Sequence, residues 1–163
     1  MKSTGYMRRF LGALLLTTAC MTFQSGAAAA DDADHAKIAQ LLQGSGYHYV
    51  QKNDSVWYIE FERKSLGTFK VIGASQQGLL VVFVTIARKA RLDLSSDLSY
   101  KMLKLNHELD RIKVGIDDDG DAFVRVDLSI RTLDEEEFKL NIEQVANAAE
   151  EAYADIQPLL KQP

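Results

Sequence analysis

The stretch RIKVGIDDDGDAFVRVDLSIR, residues 111–131, decides the fold. Ile112, Val114 and Ile116 alternate with Arg111, Lys113 and Gly115. Asp117-Asp118-Asp119-Gly120-Asp121 follows as turn chemistry, and Ala122, Val124, Val126, Leu128 and Ile130 then alternate with Phe123, Arg125, Asp127, Ser129 and Arg131. Successive side chains of a strand point to opposite faces, so this double alternation around an Asp/Gly turn predicts an antiparallel hairpin with one wet face.

Moving outward to the C-terminal side, a helix announces its own start. Asp134 stands where an N-cap belongs, with Glu137 three residues on, and Leu133 and Phe138 flank the cap as a hydrophobic staple would. Glu135 and Glu136 suit the positive end of the helix dipole. Phe138, Ile142, Val145, Ala149, Ala152 and Ile156 make one long apolar stripe, with Pro158 near its end.

To the N-terminal side, Ser95-Ser96-Asp97 offers N-cap chemistry for a helix carrying Leu98, Met102, Leu105 and Leu109. Before it, Leu79–Arg88 is a strand apolar on both faces, with Leu79, Val81 and Phe83 on one and Leu80, Val82, Val84 and Ile86 on the other. Such a strand requires cover on both sides. A second copy of the chain over Leu80, Val82, Val84 and Ile86 is the expectation; the competing account lays the first helix over them. Val56–Arg63 turns Trp57, Ile59 and Phe61 one way and Tyr58, Glu60 and Glu62 the other, and Thr68–Ala74 turns Phe69 and Val71 in and Lys70 out. Tyr47–Val50 reads as a short edge strand before the turn residues 52–55, and Ile38, Leu41 and Leu42 recur at helical spacing until Gly44 and Gly46. The order α-β-β-β-α-β-β-α is an α+β layout with a mainly antiparallel sheet packed by helices.

The first thirty residues carry an export pattern. Lys2, Arg8 and Arg9 precede the apolar run 10–23, and Ala28-Ala29-Ala30 is a small-residue cleavage site before Asp31. Cleavage after Ala30 is expected, with a periplasmic or secreted product. About twenty apolar residues are needed to span a bilayer, so a retained membrane span is not expected. Lipidation at Cys20 is disfavoured by Thr17, which stands where a lipobox carries a Leu-like residue. The division is a signal peptide over 1–30, an acidic leader over 31–35 and a single domain over 36–160. Processing removes three of the 19 basic residues and none of the 23 acidic ones, leaving a net charge of −7. That sign argues against nucleic acid as a partner. Cys20 is the only cysteine, so the mature domain has neither disulfide nor thiolate metal site.

Residue chemistry supplies no catalytic set, cofactor or metal site. Set against a calcium loop, Gly120 at position six puts Gly115 at position one and Val126 at position twelve, where carboxylates are needed. His35, His48 and His107 share no ligand spacing, and Gly44-Ser45-Gly46 is not a nucleophile elbow. Glu60 and Glu62 sit on the wet face of a strand, where solvation suffices. Aromatics concentrate early, at Tyr47, Tyr49, Trp57, Tyr58 and Phe61, with Trp57 and Phe61 expected in the core. The binding candidates are therefore Tyr49, Tyr58, Leu80, Val82 and Val84.

Met102-Leu103-Lys104-Leu105-Asn106, the strand to Ile116, the Asp-Gly turn, Val124-Arg125-Val126-Asp127-Leu128 and the Leu133-Asp134-Glu135-Glu136 helix start together resemble the YbjN family of bacterial sensory-transduction regulators, over roughly residues 36–157. That family is similar in fold to type III secretion chaperones. The resemblance implies a compact sandwich that often dimerises and binds polypeptides, and carries over no catalytic residue. The export pattern departs from those chaperones, which work in the cytoplasm, so only the polypeptide-binding geometry is borrowed. The expectation is a non-enzymatic envelope protein that binds a polypeptide and forms a homodimer. A small-molecule or lipid pocket between helices and sheet is the alternative.

Overall fold

The structure, a computed structural model, describes residues 25–161, with side chains from Asp31 onward. The basic residues, apolar run and Cys20 of the export pattern lie outside the described residues. In chain order the described elements are α1 (Ser25–Ser45), β1 (Tyr49–Gln51), β2 (Val56–Arg63), β3 (Gly67–Gln76), β4 (Leu79–Ala87), α2 (Ser96–Glu108), β5 (Lys113–Ile116), β6 (Ala122–Ser129) and α3 (Glu135–Ile156). The strands form one antiparallel sheet in the order β1-β2-β3-β4-β6-β5. This is the expected α+β order.

The hairpin of residues 111–131 closes as its alternation requires. Val114 lies opposite Val124 and Ile116 opposite Ala122. Gly120 N–H donates to Asp117 O at 2.9 Å, and Gly120 takes φ +85°, a conformation glycine adopts without steric penalty. Two of the four turn carboxylates are spent on structure. Asp117 accepts from Asp121 N–H at 2.8 Å; Asp121 accepts from Lys89 N–H at 2.8 Å and from the Arg88 guanidinium at 2.6 Å. The Lys89 N–H and the Arg88 cation hold the Asp121 carboxyl below the usual carboxylate range.

α3 lies over β4 and β6, which pair Val82 with Val126 and Val84 with Val124. Its stripe of Phe138, Ile142, Val145, Ala149, Ala152 and Ile156 is fully buried on this apolar floor. Here the structure corrects an expectation. Leu80, Val82, Val84 and Ile86 are covered by the chain's own α3, not by a second copy or by the first helix, and Leu80 and Val82 are 0% exposed. The reason is register: these residues share a face with the apolar residues of β6, on which the apolar stripe of α3 packs.

The deepest packing is Trp57 beside Phe138, ring centroids 5.7 Å apart and tilted at 52°. Trp57 pairs with Gly73, whose missing side chain makes room for the indole: a Cβ there would stand 2.1 Å from the ring. α3 also grips the β1–β3 end through its polar side. The Glu150 carboxylate accepts from Ser65 N–H at 2.7 Å and Leu66 N–H at 2.9 Å, and Glu143 accepts from Tyr47 Oη at 2.9 Å and pairs with Arg63 at 3.2 Å. Burial, reinforced by the Glu143 bond, pushes the Tyr47 hydroxyl up to about 12.

Three local expectations shift. α1 begins at Ser25, ahead of the expected Ile38–Leu42 segment, and its helix runs through Ala28–Ala30 and the acidic leader, since alanine is the best helix former. β1 begins at Tyr49 instead of Tyr47, because Gly46 at φ +78° and the bond from Tyr47 N–H to Ser45 Oγ still belong to the end of α1. Ile130 leaves β6 for a short 3-10 turn, Ile130–Thr132, while its N–H still reaches Gly78 O at 3.0 Å. No helix among the described residues is long and apolar enough to cross a membrane.

Candidate functional site

All three described α-helices pack on one side of the sheet, so pairing register identifies the side chains of the other. Directly opposed residues share a face. One row crosses the sheet as Val50, Tyr58, Ile72, Phe83, Arg125 and Lys113. A second runs Val56, Ala74, Val81, Asp127, and a third joins Thr85, Phe123 and Gly115. Tyr58, Ile72, Val81, Phe83 and Phe123 are half-buried here and Val50 is 45% exposed. Positions that a solvated strand would make polar are thus aliphatic or aromatic at Tyr58, Ile72, Val81 and Phe83, while Glu60 and Lys70 hold the next row of the same face.

The strip has charged borders. Lys70 Nζ sits 4.2 Å and Lys52 Nζ 5.2 Å from the Tyr58 ring centroid, and Arg125 lies 5.6 Å from that of Phe123. The Phe123 ring lies over Gly115, where a Cβ would stand 2.9 Å from it. Asp127 pairs with Lys113 and, at 3.2 Å, with Arg125. Burial pushes its carboxyl up, but the hydrogen bond from Lys113 and the charges of Arg125 and Lys113 outweigh this and hold it below the usual range. The surface is apolar in the middle, with cations on its aromatic rims.

Of the five sequence candidates, only Tyr58 belongs to this face. Tyr49 pairs with Ile59 and packs against the core on the helix side. Leu80, Val82 and Val84 are core residues beneath α3 and meet no partner in this fold. Their neighbours on β4, Val81 and Phe83, are the ones on the open side. A signal for this existed in the sequence: Arg125 and Asp127 mark the wet face of β6, and their cross-strand partners are Phe83 and Val81.

The histidines also find places. His35, in the stretch expected as an acidic leader, lies within α1, and its Nε2 is 3.1 Å from Ser55 Oγ at a shallow hollow of about 180 Å³ that Asp31 and Asp34 also line. No carboxylate is hydrogen-bonded to its ring among the described residues. His48 and His107 are exposed. Among the described residues no three His, Cys, Asp or Glu side chains converge as a metal site would require.

Comparison with known proteins adds the kinship. The chain is similar in fold to YbjN of E. coli, over 78% of this chain and 95% of that one, at TM-score 0.59 and 15% identity. It is similar to a chain of the heterodimeric ExoU–SpcU complex from the type III secretion system of Pseudomonas aeruginosa, at TM-score 0.53 and 16% identity over 76% of this chain and 97% of that one. A chain of the ExsC–ExsE complex matches at TM-score 0.54 and 11% identity, over 76% and 93%. No curated protein sequence matches significantly. The YbjN family pattern, described as "Putative bacterial sensory transduction regulator", matches residues 34–158. That match takes in every strand and nearly all of the helical layer, and on it the chain belongs to the YbjN family.

Proposed function

We propose that this protein is an exported, non-catalytic polypeptide-binding module of the bacterial envelope, chaperone-like or regulatory in role. Its ligand is an extended segment of a partner protein lying across the open face of the sheet. The carrying observation is the strip Tyr58, Ile72, Val81, Phe83 and Phe123, five half-buried apolar side chains with no described element packed on them. Contiguous apolar surface of this kind marks interaction sites in soluble proteins. The fold is shared with chains found in the ExoU–SpcU and ExsC–ExsE complexes, which supports a protein ligand.

The non-catalytic part is supported by how the charged groups are used: Asp121, Glu143 and Glu150 each tie one element to another. A small-molecule or lipid site between helices and sheet is disfavoured. The layers meet over fully buried Trp57, Phe138 and Ile142, and two surface hollows among the described residues, about 180 and 140 Å³, are smaller than the ~300–1,000 Å³ of drug-sized sites. Export is supported by the pattern of residues 1–30. Cleavage after Ala30 would leave Asp31, Asp32 and Asp34 in the first turn of α1, where the helix dipole favours them. Intact mass of the exported protein beginning at Asp31 is the expected result, and an acylated species beginning at Cys20 would overturn it.

Capture of partners from envelope extract, read by mass spectrometry, tests the binding role. A recurrent polypeptide lost in Phe83→Asp is predicted. A stoichiometric small molecule, or a polypeptide retained undiminished by that variant, would contradict it.

Self-association is a second part of the reading, with its motive moved from β4 to α2. Tyr100 and Leu103, 70% and 71% exposed, share the outward side of that helix. Light scattering at micromolar concentration is expected to give twice the monomer mass for the wild type and the monomer mass for Leu103→Lys; a wild-type monomer would remove this part.

A further inference from the structure

We infer that the segment bound across the open face is extended and carries two acidic side chains four residues apart, with an apolar side chain midway between them. The inference rests on the polypeptide-binding reading and names the partner's chemistry.

The charges that border the apolar strip select the acids. At one end Lys52 Nζ and Lys70 Nζ both stand by the Tyr58 ring, and of the two only Lys70 faces a carboxylate among the described residues, Glu60 at 3.8 Å. At the other end Lys113 and Arg125 converge on one atom, Oδ2 of Asp127. Two cations therefore share one carboxylate at each end, and each end keeps a surplus positive charge. Lys52, Lys70 and Lys113 are exposed, so this charge is within reach of a ligand. The remaining carboxylate of β2 on this face, Glu62, lies one row further out, opposite Thr68. The surplus stands on a chain of net charge −4, so the strip's borders oppose the molecule as a whole in sign. An acidic side chain is attracted at either end, whereas a basic one meets two cations at both.

The sheet sets the spacing. Tyr58, Ile72, Phe83 and Arg125 stand in one cross-strand row on β2, β3, β4 and β6. Neighbouring strands lie about 4.8 Å apart, so Tyr58 and Arg125 are separated by roughly 14 Å. An extended chain advances about 3.3 Å per residue and turns alternate side chains to the same side, so residues i and i+4 span about 13 Å. Residue i+2 then falls over Ile72 and Phe83, the apolar middle of the row. On a helix residues four apart advance only about 6 Å and cannot reach both ends. A nucleic acid strand fits less well, because its continuous run of phosphates would also meet Glu60 and Asp127.

The test is an NMR titration of the protein with the peptide acetyl-Ser-Asp-Thr-Phe-Thr-Asp-Ser-amide. Saturable shifts of the Ile72, Phe83 and Arg125 backbone amides are expected. The same peptide with lysine for both aspartates, and the rearranged Ser-Phe-Asp-Thr-Asp-Thr-Ser, should each bind at least about fivefold more weakly. Lys52→Gln and Arg125→Gln should each weaken the acidic peptide by about threefold. Lys52 is exposed and carries this comparison if Arg125→Gln disturbs the Asp127 cluster. Equal binding of all three peptides at these amides would overturn the inference and leave polypeptide binding on the face standing. Undiminished binding by Lys52→Gln, no saturation by the acidic peptide, or tighter binding of oligodeoxythymidylate to the same amides would also overturn it. Capture from extract and its loss in Phe83→Asp report on the parent reading alone, so the two fall separately.

Discussion

Gly73 lets the Trp57 indole lie directly against the backbone of β3, because the indole occupies the space a side chain there would fill. Overpacking a close-packed interior costs about 1–3 kcal/mol, so Gly73→Ala is expected to lower stability by at least that much in urea unfolding, with a shift in Trp57 fluorescence. An unchanged midpoint would mean the indole has room the structure does not show. Glu150 gives the residue-scale pH prediction. Burial pushes its carboxyl up, but the Ser65 and Leu66 N–H groups more than offset this and hold it below its ordinary value. A group whose folded pKa is depressed contributes stability that is present above its unfolded pKa, about 4.3, and lost as pH falls through the folded value. Wild type is therefore expected to melt a few degrees above Glu150→Gln at neutral pH, with the gap closing as pH drops below that unfolded value. A gap that stays constant into acid would assign Glu150 another role.

At the scale of elements, edges and faces matter most. β5 is the last strand of its side, and Asn106 of α2 blunts it. Its Oδ1 accepts from Val114 N–H at 2.8 Å, and its Nδ2 donates to Val114 O at 2.9 Å. Unpaired edges invite pairing with other chains. With two hydrogen bonds at about 0.5–1.5 kcal/mol each, Asn106→Leu is expected to lose about 1–3 kcal/mol in urea unfolding and to aggregate faster on warming. A variant as stable and as soluble as wild type would show the cap to be incidental. The elements themselves were legible where their signals are local. Alternation around the Asp/Gly turn located β5 and β6, and Asp134 and Ser95 marked helix starts that the structure confirms with bonds from Glu137 N–H at 2.8 Å and Leu98 N–H at 3.3 Å. β4 was legible as a strand but not as to which face is covered, since that depends on its pairing with β6, a contact remote in sequence.

At the scale of the whole molecule, the described helices form one layer on one side of a six-stranded sheet, and no described element covers the other side. This explains why the candidate site was only partly read from sequence. Tyr58 was identifiable because it alternates with the core residues Trp57 and Ile59. Phe123 stood with Arg125 and Asp127 on the wet side of its strand and Ile72 drew no reading, while Val81 and Phe83 sat on one of two equally apolar faces until the register set all four on the open face. The central claim, that this face binds a polypeptide, meets its most direct test in site-specific photo-crosslinking in living cells. Benzoylphenylalanine would replace Ile72 or Phe83 on the open face, and Ala154 on the exposed back of α3 as the comparison. The account predicts discrete crosslinked polypeptide adducts at positions 72 and 83 and none at 154. Adducts at 154 with none on the sheet face would contradict it.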